Sequence, residues 1–164
     1  MNVGEVIGSL TQVTGLVLFL LVLANQAGVP VPAAPSLLAA GALAGGGSLS
    51  FVVVLALAVG AALSADLVWY SLGRWRGAQT LAVFRRFRRP RVWVEWGEQS
   101  FLAHRFGFLW SARFLPELNP VGAGLAGATR VQPTRFLLSA AGSALVWAGA
   151  WAGAGYLLRE AIAR

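Results

Sequence analysis

Apolar positions along this chain run in long blocks, with most of the charge gathered in one stretch between them. Residues 6–24 read as an N-terminal helix. Residues 29–47, interrupted by Pro30, Pro32 and Pro35, are too short and broken to cross a bilayer, yet they lead directly into 51–72, which can. The same order returns later: 106–128, interrupted by Pro116 and Pro120, leads into 134–158. Paired short, interrupted segments in two halves of a membrane chain point to a transporter binding site.

An offset of 82 residues aligns the halves without a gap. Leu43-Ala44-Gly45 then lies on Leu125-Ala126-Gly127, Leu55 on Leu137, Ala58 on Ala140 and Gly60 on Gly142. Further on, Ala62 and Leu63 match Ala144 and Leu145, Trp69 matches Trp151 and Gly73 matches Gly155. Gly41-x-x-x-Gly45, Gly73-x-x-x-Gly77 and Gly149-x-x-x-Gly153 predict close backbone approach between helices.

Composition settles the solvent. The chain is 57% hydrophobic and 12% charged with a mean hydropathy of +0.69, more apolar surface than a domain of 164 residues can hide from water. The expectation is one integral membrane domain over residues 1–164. No Arg or Lys precedes the first apolar block, so 6–24 reads as a retained helix rather than a secretory signal. With no cysteine in the chain, disulfides, thiolate metal sites and cysteine nucleophiles are excluded.

All thirteen positive charges are arginines, and Arg74, Arg76, Arg85, Arg86, Arg88, Arg89 and Arg91 sit close together. A nucleic-acid-binding tract has such a composition, but a basic loop between spans is what orientation in a membrane demands of its cytoplasmic face. Residues 74–105 are therefore read as a cytoplasmic connection drawn to anionic headgroups. Membrane lipids, not nucleic acid, are the expected partners. Within this connection 92–106 mixes Trp93, Trp96, Phe101 and Phe106 with charged residues, which predicts a short interfacial helix.

Three ionisable residues fall where lipid belongs. Asp66 lies inside an otherwise uncharged block, and Arg113 and Glu117 flank Pro116. Charges at membrane depth are costly and mark sites by default. The planar fork of an arginine suits phosphate. Desolvation favours a neutral acid and a nearby cation favours a carboxylate, a balance suited to a proton-linked switch. An Asp66–Arg113 pair that only fastens the halves together satisfies the same pattern. The prolines imply unpaired backbone groups that face either a wet cavity or two interfacial turns. Catalysis finds no support: His104 is the only histidine, and no metal-ligand spacing, phosphate-cradling loop or nucleophile elbow occurs. The expectation is no enzyme, no metal and no cofactor.

These residues resemble the DedA family, whose membrane domain is also called SNARE-associated or VTT. The resemblance covers about residues 24–158 and rests on Phe101-x-x-x-Arg105-Phe106-Gly107, Ala112-Arg113-Phe114-Leu115-Pro116, Ala126-Gly127-Ala128 and Arg135-Phe136. Gly28-Val29-Pro30-Val31-Pro32-Ala33 is similar to the family's first hairpin, and Asp66-x-x-x-Tyr70-x-x-Gly73-Arg74-x-x-Gly77 to its following span. It implies two opposed re-entrant hairpins and proton-coupled handling of a phosphate-bearing lipid, notably the polyprenyl phosphate carrier or a phospholipid. Asp66 matches the family's membrane acid and Arg113 the first of its two hairpin arginines. Asn25 and Gln26 stand where a Glu usually precedes the first hairpin, and Glu117 and Asn119 where Gly and the second Arg usually follow the hairpin proline. Many members continue into another span beyond the position of Leu158, so a shortened chain, a partner helix or assembly with further copies is expected here.

The reading is an all-α membrane protein of inverted repeats in the cell's inner (plasma) membrane. Its expected parts are the N-terminal helix 6–24, re-entrant hairpin 29–47, transmembrane helix 51–72, connection 74–105, re-entrant hairpin 106–128 and transmembrane helix 134–158. It is expected to move a phosphate-bearing lipid between leaflets. Arg113, Asn119 and Pro116 would hold the substrate with Asn25, Pro30 and Pro32. Asp66 and Glu117 would carry the proton coupling, Glu117 replacing the acid lost at Asn25. Gly28, Gly122, Gly124 and Gly127 would let the hairpins approach closely. A transporter of a small soluble anion and a membrane organiser without a transport cycle are the alternatives.

Overall fold

A computed structural model of the protein describes residues 3–77, 79, 99–101, 104–115 and 118–163. Six helices are assigned among them: α1 (Val3–Gln26), α2 (Ala33–Gly45), α3 (Phe51–Arg76), α4 (Arg105–Ala112), α5 (Asn119–Ala128) and α6 (Pro133–Ile162). No strand occurs among the described residues. Most of the interfacial stretch expected over 92–106 lies outside them, as do Pro116 and Glu117.

Proline and backbone conformation set the element boundaries. Pro120 and Pro133 occupy the first turns of α5 and α6, where the missing N–H has no partner to lose. Three helices end in the same two-bond cap. After α1, Gly28 and Val29 donate backbone N–H groups to the carbonyls of Asn25 and Ala24, both at 2.9 Å. After α2, Gly47 and Ser48 do the same to Ala44 and Leu43, and after α5, Arg130 and Val131 to Gly127 and Ala126. The residue at the turn must adopt positive φ, and it does: 100° at Gly28, 77° at Gly47 and 55° at Arg130. α3 runs four residues beyond the expected 51–72 and takes up Arg74 and Arg76, because no proline intervenes and the backbone turns only at Gly77, whose φ is 56°.

Helices α3 and α6 are long and apolar enough to cross a membrane. They are antiparallel: the rings of Phe51 and Tyr156 meet edge-on at one end, and those of Tyr70 and Phe136 stack at 4.5 Å at the other. Their outward faces are apolar, with Val52 at 73% exposure and Leu138 at 75%. In water such a surface is a liability; in lipid tails it costs nothing.

Each short helix packs chiefly on the long helix of the other half, α2 on α6 and α5 on α3. Both crossings are built the same way. A Cβ on Gly41 would lie 1.9 Å from the Ala152 carbonyl oxygen, and one on Gly155 1.9 Å from that of Leu38. Across the other pair, a Cβ on Gly127 would lie 2.0 Å from the Tyr70 oxygen, and one on Gly73 2.0 Å from that of Gly124. Backbones this close leave room for hydrogen only.

The equivalences correct the gapless alignment. Tyr70 corresponds to Ala152 and Gly73 to Gly155, which keeps the 82-residue offset for the long helices. Gly41 corresponds to Gly127 rather than Ala123, so α2 and α5 are related by a shift four residues larger. The reason is length. α2 continues six residues from Gly41 to its cap at Gly47, whereas α5 reaches Arg130 three residues after Gly127, and the loop after it is one residue shorter.

Candidate functional site

Arg113 follows α4 and is the largest fully buried side chain among the described residues. A buried guanidinium requires acceptors for its five N–H groups, and three helices, α1, α3 and α6, supply them. Nη2 pairs with Oδ2 of Asp66, midway along α3. Nε donates to Ser143 Oγ on α6 at 2.9 Å, and Nη1 to Gln26 Oε1 at the end of α1 at 3.3 Å. Nη2 also approaches the Ala140 carbonyl oxygen at 3.4 Å. The second carboxylate oxygen of Asp66 accepts from Asn119 Nδ2, on the first residue of α5, at 2.8 Å. The Asp66 carboxylate thus sits by the α5 N-terminus, the end of a helix that favours negative charge.

Local sequence explains how these groups converge. The glycine-lined crossing of α3 and α5, at Gly73 and Gly127, brings α5 close enough for Asn119 to reach Asp66. Gly142 on α6 receives the Trp110 indole, 3.0 Å from where a Cβ would stand, and this seats α4 beside Ser143. Gly122 plays the same part for the Phe108 ring at 3.1 Å. A second polar knot closes one end of the bundle: Tyr70 donates its hydroxyl to the Val131 carbonyl at 2.5 Å, and Arg74 donates to the Tyr70 oxygen at 3.2 Å.

A family model, the VTT domain, matches residues 31–157. The chain belongs to the VTT-domain family, the DedA family. An uncharacterized membrane protein of Synechocystis sp. is 32% identical over 149 residues, which span 90% of this chain and 68% of that protein. No solved structure matches the chain.

Within this VTT domain the expected site residues separate into three groups. Arg113, Asp66 and Asn119 meet in one buried cluster. Asn25 is buried beside it, but its side-chain amide donates to the Val31 carbonyl at 2.8 Å and so braces the turn leading into α2. Pro30 and Pro32 lie exposed on that turn, outside the cluster. Gly28 forms the α1 cap, Gly122 receives Phe108, and Gly124 and Gly127 lie in the α3–α5 crossing. Pro116 and Glu117 fall outside the described residues.

Two members of the cluster are not identifiable in the sequence as site residues, Gln26 and Ser143. Gln26 stands next to Asn25, in the pair where the family pattern is broken, and that departure is the one signal that points to it. Ser143 is one hydroxyl in a run of Ala, Gly and Ser. The expected contacts of Gly149-x-x-x-Gly153 do not occur among the described residues: neither glycine has such a neighbour within 4 Å of its Cβ position, unlike Gly41 and Gly73.

Proposed function

We propose that this VTT domain moves a phosphate-bearing lipid between leaflets by alternating access, coupled to protons. The observation that carries the reading is a buried arginine held by an acid and neutral polar groups, inside a bundle whose outer face is apolar. In the membrane an ionisable cluster of this kind is a functional-site hypothesis by default. A phosphate and the Asp66 carboxylate compete for the same guanidinium edge. Protonation of Asp66 cancels its charge and releases Nη2, and the planar fork then takes two phosphate oxygens. Asn119 follows either partner, because its amide donates equally well to a carboxylate or a phosphate. The lipid tail stays against the apolar faces of α3 and α6 while the headgroup passes. No bond is made or broken, so the activity is transport rather than catalysis.

In this reading α2 and α5 are arms of two re-entrant hairpins, 29–47 and 106–128, entering from opposite faces as inverted repeats. The like-built crossings, each joining one half to the other, support that arrangement. The basic connection from Arg74 lies on the cytoplasmic side of the plasma membrane. Glu117 is a second candidate acid on the later hairpin.

One observation favours a second reading. Arg113 and Asp66 are paired directly in the buried cluster, and such a pair also suits a fastener in a membrane organiser without a transport cycle. Flipping of a labelled polyprenyl phosphate in sealed liposomes separates the two. Transport by the wild type, loss in Arg113→Ala and pH-insensitive transport in Asp66→Asn are expected. No flipping by folded, inserted wild type removes this substrate and leaves the organiser or a soluble anion.

A further inference from the structure

Gln26 is fully buried, and its amide is only half satisfied. Its oxygen accepts from Arg113 Nη1, which fixes the orientation of the group, since a flipped amide would set two donors against each other. The NH2 group is therefore turned away from the guanidinium, and it has no hydrogen-bond partner among the described residues. Ser139 Oγ is the other buried side-chain atom without one. Ser139 lies one turn before Ser143 on the same face of α6, and next to Ala140, whose carbonyl Arg113 approaches. Arg113 itself carries one N–H on Nη1 beyond those already accounted for.

The surplus is chiefly of donors. Gln26 offers two N–H groups, Arg113 one and Ser139 a hydroxyl, while both Asp66 oxygens and the Gln26 oxygen are engaged. A buried unpaired donor is unfavourable and awaits an acceptor. The N–H groups of Gln26 and Arg113 have no lone pair to offer a cation, and a neutral alcohol meets them with a single oxygen. A tetrahedral oxyanion has several acceptor oxygens to offer such donors.

We infer that the Gln26 side-chain amide, assisted by the Ser139 hydroxyl, is a direct donor to the phosphate oxygens of the transported lipid beside Arg113. This rests on the phosphate-lipid reading of the cluster and adds its specificity element: a neutral donor on α1 in place of an acid. An acid would repel the anion there, whereas the amide attracts it and leaves Asp66 as the one acid in the described cluster.

The test uses the full chain in micelles, with three probes: a short-chain isoprenyl phosphate monoester, the matching isoprenyl alcohol and inorganic phosphate. Gln26→Glu keeps an oxygen for Arg113 and replaces the NH2 by a second oxygen. Gln26→Leu removes both polar atoms at similar volume. Both variants are expected to lose about tenfold or more of the affinity for the phosphate monoester, the effect of losing a hydrogen bond to a charged group, with alcohol binding unchanged. Ser139→Ala is expected to lose less. Phosphate-monoester affinity equal to wild type in both Gln26 variants overturns the assignment, and if wild type still flips the lipid in liposomes, the transport reading survives that failure. Gln26-dependent binding of inorganic phosphate as tight as that of the monoester, without flipping, keeps the donor assignment and overturns the lipid reading. No preference of the wild type for phosphate over alcohol overturns both.

Discussion

Gly73 and Gly155 meet the same obstacle on opposite sides of the molecule. A Cβ on Gly73 would strike the Gly124 carbonyl oxygen, and one on Gly155 that of Leu38, each at 2.0 Å or less. The obstacle is backbone in both cases, so no side-chain rotation relieves it. Alanine at either position, or at Gly41 or Gly127, is expected to cost at least about 1–3 kcal/mol by overpacking. Gly60, Gly149 and Gly153 meet none of the described residues within 4 Å at the same point. Alanine there is expected to be neutral or to stabilise by about 0.5–1 kcal/mol through helix propensity. Unfolding of the seven variants in mixed micelles by titrated denaturing detergent ranks them, and a common value for both sets would refute the crossings.

The Arg113–Asp66 pair predicts a non-additive cycle. Removing either partner alone leaves a charge buried without its counterion, at a cost of about 3–5 kcal/mol. The double variant Asp66→Ala/Arg113→Ala is expected to be destabilised by clearly less than the sum of the single effects. Arg113→Lys should not restore stability, because one ammonium cannot reach Ser143, Gln26 and Asp66 together. The same unfolding titration, run as a double-mutant cycle, measures the coupling.

Tyr70→Phe deletes the hydroxyl that donates to Val131 and accepts from Arg74, and it keeps the stack on Phe136. A loss of about 1 kcal/mol is expected. Faster amide exchange should appear first in the turn between α5 and α6, which that bond holds. Unchanged exchange there would mean that the stack alone fixes the turn.

Arg130 is the one non-glycine residue at positive φ among those described. An L-residue pays about 1–2 kcal/mol in this conformation, so Arg130→Gly should raise stability by up to about 1 kcal/mol and Arg130→Val should lower it. Melting temperatures of the purified variants decide the sign.

The two spans and the meeting of Asp66 with Arg113 were legible because charge inside an apolar block stands out at any register. The family was legible from ordered motifs around Arg113 and Pro30. Gln26 was not, because successive helix residues point about 100° apart and only the position of Arg113 decides which of Asn25 and Gln26 faces the cluster. The 82-residue offset was readable for α3 and α6, where Trp69/Trp151 and Gly73/Gly155 mark it. It misled for α2 and α5, since Ala/Gly/Leu sequence matches itself at several shifts and the extra turn of α2 leaves no mark. Three similar Gly-x-x-x-Gly patterns gave no hint that one would stay uncovered, because the partner of a glycine is a long-range fact.

The exchange of short helices between halves has a consequence for biosynthesis. When α2 leaves the ribosome, the surface it rests on does not yet exist; α6 begins only at Pro133. At ~5–20 residues per second the nascent chain waits about 5–20 s with Gly41 and Leu38 unmatched. The first half is thus an incomplete folding unit, held by the insertion machinery or by lipid until the last helix arrives. Translation speed across residues 77–133 and the supply of insertase should then govern the yield of folded protein more than the stability of either half.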